Sequence, residues 1–399
     1  MTPYQRRLIA FLSVATFFEG YDFFALAQIL PELREDFGLS PFAAGVLMAV
    51  VNVGTMLAAV LVRQADRIGR KRVLTITIAG YTLFSLLTAA SPNVWVFGVA
   101  QLLARIFLIA EWAVSMMYAA EEFPAERRGF VIGLIQAFSS FGAIACAALV
   151  PTLVATELGW RAVYVVGAVP LVLVAVARRG LQESTRFAAA APEPVRAPFA
   201  LLSGPHRNRL LLVALIWALT YVNTQNAITW WKEFAVGERG LTDGQVALAL
   251  TIGAVGSLPL LFLSGKFLDA VGRRPGALVI FGLCALGTFG AYTLDDRWAL
   301  TASLAVGIFG TSAVLPVLNA YTTELFPTNV RGDAFALANN LLGRVGYVLS
   351  PIAVGWAAGH FGWGPAVATT AVFPLLAVAL IWFFLPETKG RELEDTCRT

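Results

Sequence analysis

The chain has 399 residues, of which 58% are hydrophobic and 14% are charged, and its mean hydropathy is +0.73. Soluble domains carry roughly 25% charged residues, so this composition excludes a soluble globular protein and predicts an all-α, multi-pass membrane protein. The formal net charge of +4 would by itself fit nucleic-acid binding, and the placement of the basic residues decides that question below.

Twelve apolar runs are long enough to cross a bilayer, for which about 20 residues are needed. The first run lacks a small-residue cleavage site at its end, so we interpret it as a retained span and not as a signal peptide. We expect the spans at about residues 8–30, 41–62, 73–90, 93–119, 129–155, 160–177, 210–235, 242–267, 275–293, 298–321, 332–358 and 364–385.

Two carboxylates interrupt the first run. Glu19 and Asp22 are i,i+3 neighbours and therefore share one helix face. An ionisable side chain at bilayer depth is costly and normally faces a bundle interior or a wet cavity. We therefore expect this face to be functional; the alternative is a carboxylate that lies near the interface or only bonds a neighbouring helix.

The longest break between spans runs from Arg178 to Arg209 and holds four prolines, which predicts a solvated connector. We expect an N-terminal six-helix bundle at 1–180, the connector at 181–209 and a C-terminal six-helix bundle with a short tail at 210–399. Of the 29 Lys and Arg residues, 22 fall on the side that holds both termini and five on the other, which predicts cytoplasmic termini. The basic charge then reflects topology in a lipid bilayer, and nucleic acid is not an expected partner.

Two motifs recur with one offset of 203 residues. The segment from Glu121 to Gly129 recurs from Glu324 to Gly332, and the segment from Asp66 to Lys71 recurs from Asp269 to Arg274. A shared offset indicates internal duplication. Parallel repeats of this kind place a binding site between the two halves, near the middle of the membrane.

Catalysis has no support in the sequence. The phosphate-loop pattern G-x-x-x-x-G-K-[ST] is absent. His206 and His360 lie outside the spans without other metal ligands at suitable spacing. The three cysteines form neither a disulfide framework nor a CxxC pair. We expect no enzymatic activity, no cofactor and no metal.

The loop after the second span resembles the G-x-x-x-D-R-x-G-R-[RK] motif of the major facilitator superfamily. Val62 replaces the first glycine, and the second copy keeps it as Gly265. The segments Glu183 to Arg186 and Pro386 to Gly390 resemble the sugar-porter and organic-ion-transporter branch. The resemblance covers essentially the whole chain and implies twelve helices in two pseudo-symmetric bundles that work by alternating access. A shared fold does not fix the substrate.

Three intramembrane motifs add to this resemblance. The element from Glu19 to Asp22 resembles the D-G-[FY]-D sequence of aromatic-acid/proton symporters. Arg344 is similar to an arginine in span 11 of organic anion transporters, which implies contact with a substrate carboxylate. Arg105 resembles the arginine of the R-x-x-x-G-x-G motif of proton-coupled members, although Ile109 and Glu111 replace its glycines.

Opposite charges at matched depth predict the coupling chemistry. Counted from the helix ends, Asp22, Arg105 and Arg344 lie near the middle of the bilayer, and Glu19 and Glu111 lie about one turn nearer the cytoplasm. Because unpaired charges are costly there, we expect Asp22 to pair with Arg105, and protonation of Asp22 or Glu19 to release the arginine. A static buried salt bridge is the alternative.

The remaining candidates lie on several spans. Glu111 is interpreted as a second proton site, a partner of Arg344 or a carboxylate lining the inner vestibule. Aromatic and amide side chains alternate in the seventh span, which suits a site that stacks against and hydrogen-bonds a small ligand. Trp230 and Trp231 are instead typical of an interfacial aromatic belt. The expected substrate contacts are Arg344, Tyr221, Gln225, Asn319, Asn340 and Trp112.

The duplicated loop motifs predict a gate on the cytoplasmic side. We expect Asp66 or Asp269 to cap a helix N-terminus or to pair with arginines across the cytoplasmic face. The Glu and Arg residues of the other motif belong to the same latch. The predicted gate consists of Asp66, Arg70, Glu121, Arg128, Asp269, Arg273, Glu324 and Arg331.

Together these patterns predict a monomeric secondary transporter of the plasma (inner) membrane. We expect it to import a small organic anion, an aromatic acid or a hydroxy-carboxylate, together with protons. A proton-coupled sugar or polyol symporter, a proton/drug antiporter and a nutrient sensor that moves no solute are the alternatives.

Overall fold

The computed structural model describes residues 2–168, 182–183, 200–327 and 330–389, without the side chains of residues 66, 125, 126, 128, 129 and 262. In these ranges the chain is helical and forms no strand. Eleven of the described helices are long and apolar enough to cross a membrane, and they coincide with eleven of the predicted runs. The sixth predicted span, 160–177, lies partly outside the described residues, and the predicted connector, 181–209, lies largely outside them.

Several helices of the N-terminal half begin where a polar side chain caps the first turn or where a glycine or proline precedes it. Thr2 and Asn93 accept hydrogen bonds from first-turn N–H groups of their helices, which satisfies donors that a helix leaves unpaired. The helices are α1 (Pro3–Gln28), α2 (Leu30–Phe37), α3 (Pro41–Ile68), α4 (Arg70–Ala89), α5 (Val94–Glu122), α6 (Ala125–Val154) and α7 (161–168).

In the C-terminal half, the side chains of Thr242 and Asp296 likewise cap the first turns of their helices. Its helices are α8 (Arg207–Thr229), α9 (Trp231–Gly237), α10 (Asp243–Val271), α11 (Arg273–Thr293), α12 (Arg297–Glu324), α13 (Arg331–Phe335), α14 (Arg344–Phe361), α15 (Trp363–Ala368) and α16 (Val372–Phe384). A π-helical segment, Ala336–Gly343, joins α13 to α14. Such segments are rare and frequently occur at functional sites.

The chain divides into two compact units. The first comprises Met1–Leu39 and Val50–Pro194, and the second comprises Ser40–Ala49 and Val195–Thr399. In the first unit α1 packs along α6 and α4 along α5; in the second unit α11 and α10 both pack along α12. Corresponding helices keep the sequence offset, since α4 begins at Arg70 and α11 begins at Arg273. Equivalent positions of the two units can therefore be compared directly.

Close backbone contact holds α1 against α6. A Cβ atom added at Gly142 would lie 1.8 Å from the Phe17 carbonyl oxygen, so any larger residue forces the helices apart. Helix pairs in membranes depend on such small residues because lipid gives no hydrophobic drive for helix association. The contact fixes the position of α1, which carries Glu19 and Asp22.

We expect Gly142→Ala to lower the thermal unfolding temperature of the detergent-solubilised protein, because the methyl group separates α1 from α6. Gly133→Ala is the matched control, since it lies on the same helix with nothing within 4 Å of the added Cβ. Intrinsic helix propensity alone favours alanine by about 1 kcal/mol at both sites. If the two variants gain stability equally in a Trp-fluorescence melt, the close contact is not a constraint.

Candidate functional site

The acidic face of the first unit lies inside the bundle. Glu19 and Asp22 on α1 are both buried, and Asp22 keeps only 2% of its surface exposed. The Ser139 hydroxyl of α6 donates a 3.1 Å hydrogen bond to Glu19 Oε2. Arg105 of α5 is 3% exposed. The structure thus brings three of the predicted proton-coupling residues into the interior of one unit.

Asp22 and Arg105 lie near each other but form no direct ion pair. Arg105 acts on Asp22 electrostatically, while its guanidinium carbon stacks 4.5 Å from the centre of the Phe23 ring. Asp22 Oδ1 and Arg105 Nη1 are buried, and neither has a hydrogen-bond partner among the described residues. Direct pairing of these two groups therefore stays a prediction, and the hydroxyls of Tyr81 and Ser85 lie beside the Asp22 carboxyl.

Glu111 is another buried acidic residue of this unit. The Thr77 hydroxyl of α4 donates to Glu111 Oε2, and the Ser115 hydroxyl donates to Oε1 over 3.3 Å. Neighbouring Trp112 keeps 37% of its surface exposed and donates its indole N–H to Gln136 Oε1 at 2.9 Å. The hydrogen bonds hold Glu111 between α4 and α5.

Arg344 is a half-buried cation of the second unit. Its guanidinium carbon lies 4.9 Å from the ring centres of both Tyr221 and Tyr347. Arg344 Nε is buried without a hydrogen-bond partner, and no carboxylate of the described residues lies within ion-pairing distance of the guanidinium. Cation–π contact stabilises the charge but uses none of its N–H donors.

Local backbone features place Arg344 against the tyrosines. A Cβ atom added at Gly346 would lie 2.1 Å from the Ala218 carbonyl oxygen, so this glycine lets α14 approach α8 closely. The π-helical segment precedes Arg344 directly and carries Asn339, whose Oδ1 accepts a 2.5 Å hydrogen bond from the Tyr221 hydroxyl. Asn339 is thus bonded to the predicted ligand contact, while predicted Asn340 is half-buried beside it.

Helical spacing did not predict the position of Asn339, because that spacing applies only to a regular helix. A π-helical segment changes the direction in which successive side chains point, so the spacing of an α-helix no longer identifies the side chain that points inward. The pair Asn339-Asn340 was the available signal, and no pattern in the sequence distinguished its two members.

The other amides of the second unit divide into satisfied and unsatisfied groups. The Gln225 side chain is buried and makes no hydrogen bond within the described ranges. Asn319 is exposed. Asn223 Oδ1 accepts from Thr288 at 3.3 Å, and Asn223 Nδ2 donates to Thr370 at 3.2 Å. Gln225 therefore fits a ligand contact better than the networked asparagine.

The expected aromatic belt at Trp230 and Trp231 is wrong. Both side chains are fully buried. Trp230 stacks on Trp363 at 4.4 Å and donates to Asn226 Oδ1 at 2.6 Å, because α9 folds back into the unit at the break after α8. The nearby Lys232 is also buried, with its amine 3.1 Å from Asp243 Oδ1.

The first copy of the duplicated motif forms an ion pair and a helix cap inside its own unit. Arg70 Nη2 donates to Glu121 Oε1 at 2.8 Å. Glu183 Oε1 accepts from the backbone N–H groups of Arg70 at 2.8 Å and Lys71 at 3.2 Å. Glu183 therefore caps the N-terminus of α4, where the helix dipole favours an anion. The side chains of predicted Asp66 and Arg128 lie outside the described residues.

The second copy repeats this arrangement. Arg273 Nη2 donates to Glu324 Oε1 at 3.0 Å, and Arg273 Nη1 donates to Asp269 Oδ1 at 2.7 Å. Glu387 accepts from the backbone N–H groups of Arg273 and Arg274, each at 2.8 Å. Of the two roles expected for Asp269, it therefore pairs with an arginine, and Glu387 caps the N-terminus of α11. Arg331 Nε donates to the Phe326 carbonyl at 3.3 Å.

Sequence reasoning noted the segments that hold Glu183 and Glu387 without assigning them the caps. The usable signal was their similar placement after each half, at an offset of 204 residues, close to that of the helices they cap. Within the described residues, no group of three or more His, Cys, Asp or Glu side chains is arranged to hold a metal ion.

Known proteins resemble this chain over nearly its whole length, including all the site residues described above. The model of the Major Facilitator Superfamily matches residues 12–231 and 213–397. A probable 4-methylmuconolactone transporter of Cupriavidus pinatubonensis is 29% identical and covers 94% of this chain and 89% of its own. The gallate transporter of Pseudomonas putida is 27% identical over 95% of this chain and 91% of its own.

Among solved structures, a D-xylose-proton symporter matches with a TM-score of 0.77 at 22% identity, covering 97% of this chain and 99% of the symporter. At this identity the likeness concerns the fold alone.

The Glu387 cap generates a pH-dependent prediction. Partial burial raises the pKa of the Glu387 carboxyl, but backbone N–H groups of Arg274 and Arg273 outweigh that effect and hold it below its usual value. Such a carboxylate stabilises the folded state above its unfolded-state pKa, and the stabilisation is lost as the pH falls through the folded-state value. We expect Glu387→Gln to unfold at a lower temperature than the wild type at neutral pH, with a difference that shrinks below pH 4.5.

Asp295→Asn is the control, because Asp295 pairs with Arg239 with 90% of its side chain exposed, and exposed pairs contribute little. It should leave the melting temperature unchanged at either pH. A Glu387→Gln deficit that keeps its size at acidic pH would contradict the ionic cap.

Proposed function

The chain belongs to the Major Facilitator Superfamily, and from this premise we propose that it imports a small organic anion, an aromatic acid or a hydroxy-carboxylate, by proton-coupled alternating access. It is a multi-pass membrane transporter and not an enzyme, and several of its relatives carry organic anions. The finer parts of this proposal, the anionic substrate and the proton, rest on two sites.

The observation that carries the proposal is the environment of Arg344. A guanidinium without a carboxylate partner inside a membrane protein is costly, and its fork of N–H donors matches a carboxylate in bidentate geometry. Tyr221 and Tyr347 hold the group through their ring faces and leave those donors available. A substrate carboxylate would supply the missing partner.

Aromatic surroundings favour a planar, conjugated acid. Trp217 and Tyr221 lie 5.3 Å apart, and Tyr221 and Tyr347 lie 5.5 Å apart in edge-to-face contact. Flat apolar faces around one cation bind the ring or diene of a small acid by stacking, and the cation fixes its orientation. Gln225 offers an amide for a hydroxyl group of the substrate.

We assign proton binding to Asp22, with Glu19 and Arg105 setting its environment. A buried carboxylate next to an arginine without a direct bond has two accessible states, a charged one that attracts the arginine and a neutral one that releases it. Coupling follows when the two states favour different conformations of the transporter.

We expect Arg344→Gln to weaken uptake of labelled gallate, the compound named for the Pseudomonas relative, by about ten- to a hundredfold in apparent affinity. A charge-assisted hydrogen bond contributes about 1.5–3 kcal/mol, and each 1.4 kcal/mol is tenfold. Arg344→Lys keeps the charge but loses the fork, so an intermediate loss is expected. Uptake into proteoliposomes is the measurement.

Arg297→Gln serves as control, since Arg297 lies in the same unit and stacks on an exposed Trp298. It should transport like the wild type. Undiminished carboxylate uptake by Arg344→Gln, or transport of a neutral sugar or an organic cation in place of carboxylates, would overturn the anion proposal.

We expect Asp22→Asn to abolish gallate accumulation driven by an inward proton gradient, because the amide cannot bind the coupling proton. Uptake is measured with and without the gradient, and the wild type should respond to it while the variant does not. A variant that still accumulates gallate in response to the gradient removes Asp22 from the coupling role.

A further inference from the structure

A cavity of about 550 Å³ lies in the second unit, where α11 ends and α15 begins. Because α11 starts at the duplicated motif, its other end is the outer end in the predicted topology. The lining of the cavity includes two charged side chains, Glu238 and Arg239 after α9, and two aromatic ones, Phe289 and Tyr292 of α11. Sites for small ligands have volumes of this size, in the range of about 300–1,000 Å³.

The first unit indicates why this space exists. At the offset of 203 residues, Arg161 corresponds to Gly364, which lines the cavity. The Arg161 guanidinium donates to Asp36 Oδ2 at 3.1 Å and to the Ser91 carbonyl at 3.4 Å. This side chain therefore spans from α2 to the residues that follow α4. Gly364 has no side chain to span the equivalent distance from α9 to the end of α11, so the space there stays open.

Glu238 places a negative charge at the cavity. Its carboxylate accepts hydrogen bonds from the backbone N–H groups of Trp363 and Gly364, the latter at 3.1 Å. The side chain is nevertheless exposed. A carboxylate offers about four acceptor sites, so the backbone bonds fix the position of the charge and leave acceptor sites for a ligand.

Arg239 places a positive charge beside it. Arg239 Nε donates to the Leu294 carbonyl at 3.0 Å, Nη2 lies 3.2 Å from Asp295 Oδ1, and the guanidinium carbon lies 4.7 Å from the centre of the Phe234 ring. Within the described ranges these bonds occupy Nε and Nη2, and Nη1 stays available to a ligand. With Glu238 and the exposed Asp295, one cation and two carboxylates lie at or beside the cavity.

The cavity also borders exposed apolar surface. Phe289 lines the cavity and is 55% exposed, and Leu286, one turn earlier on the same face of α11, is 69% exposed. Thr369 lines the cavity one turn before Val372, the exposed first residue of α16. α11 packs along α16. Exposed apolar surface on membrane-spanning helices faces the acyl chains of the lipid, so one ligand can contact both the charges and the hydrocarbon.

We propose that this cavity binds the headgroup of a zwitterionic phospholipid with a primary ammonium group, phosphatidylethanolamine, whose acyl chains lie along Phe289 and Leu286. Arg239 binds the phosphate, since guanidinium donors match phosphate oxygens. Glu238 and Asp295 bind the ammonium group. One cation beside two carboxylates repels an anionic headgroup and complements a headgroup that carries one phosphate and one ammonium.

The choice of lipid is tested on the delipidated wild type by native mass spectrometry, with one lipid at a time and identical acyl chains. We expect the first phosphatidylethanolamine to bind several-fold more tightly than phosphatidylcholine, which keeps both charges but has no ammonium N–H donors. Phosphatidylglycerol, which has the phosphate without a cation, should also bind several-fold more weakly. Equal binding of the three lipids, or tighter binding of either of the other two, would overturn the proposal. Because no substrate is present, the result does not depend on the proposed function.

The location is tested by two cavity variants. Arg239→Gln removes the partner of the phosphate, and Thr369→Trp fills the cavity with an indole ring. We expect each variant to lose the several-fold preference for phosphatidylethanolamine. A preference that survives in either variant would place the lipid elsewhere and overturn the proposal.

Each cavity variant has a matched control. Arg297→Gln removes an arginine of the same unit that stacks on exposed Trp298 and does not line the cavity. Val279→Trp adds the same indole to the exposed surface of α11, ten residues before Phe289 and about 15 Å away along the helix. Both controls should keep the preference of the wild type, and its equal loss in the controls would contradict a site at this cavity.

Discussion

A charge taken into a membrane must find a partner or water, and this requirement separates the two kinds of ionic site in the structure. Arg70 and Arg273 meet it with carboxylates, Glu121 and Glu324, at the ends of their helices. Asp22, Arg105 and Arg344 form no ion pair with a described residue, and each keeps a buried atom without a hydrogen-bond partner there, as Arg273 Nε also does. The paired arginines link helices, and we propose that the three groups without an ion pair bind a proton or a solute.

The two duplicated halves share one kind of ionic site and differ in the other. The latches repeat almost bond for bond, down to the capping carboxylates Glu183 and Glu387. The membrane interiors diverge, since a buried carboxylate at position 22 corresponds to the neutral Gln225, and the hydroxyls beside it correspond to groups that Asn223 satisfies. One half holds the buried carboxylate of Asp22, while the other holds Arg344, the candidate cation for the substrate. The proposed coupling of a proton to an anion needs both chemistries and assigns one to each half.

The sequence predicted the parts of the fold that depend on composition and length. Eleven spans coincide with the apolar runs, because crossing a bilayer constrains hydropathy more than any soluble fold does. Burial of Glu19, Asp22 and Arg105 also followed from the cost of charge in lipid. The sequence did not predict the features that depend on an irregular backbone. Trp230 is buried at the break after α8, and Asn339 of the π-helical segment, not Asn340, bonds the Tyr221 hydroxyl. Hydropathy and helical spacing assume regular helices, so neither pattern contains this information.

The account depends most on a carboxylate binding at Arg344, and a change in the ligand tests it without altering the protein. Isothermal titration of the purified wild type would compare gallate with its neutral amide, which keeps the ring and hydroxyl groups. The account predicts at least tenfold tighter binding of the carboxylate, since a lost charge-assisted bond costs about 1.5–3 kcal/mol. Equal affinity for the acid and the amide would contradict it.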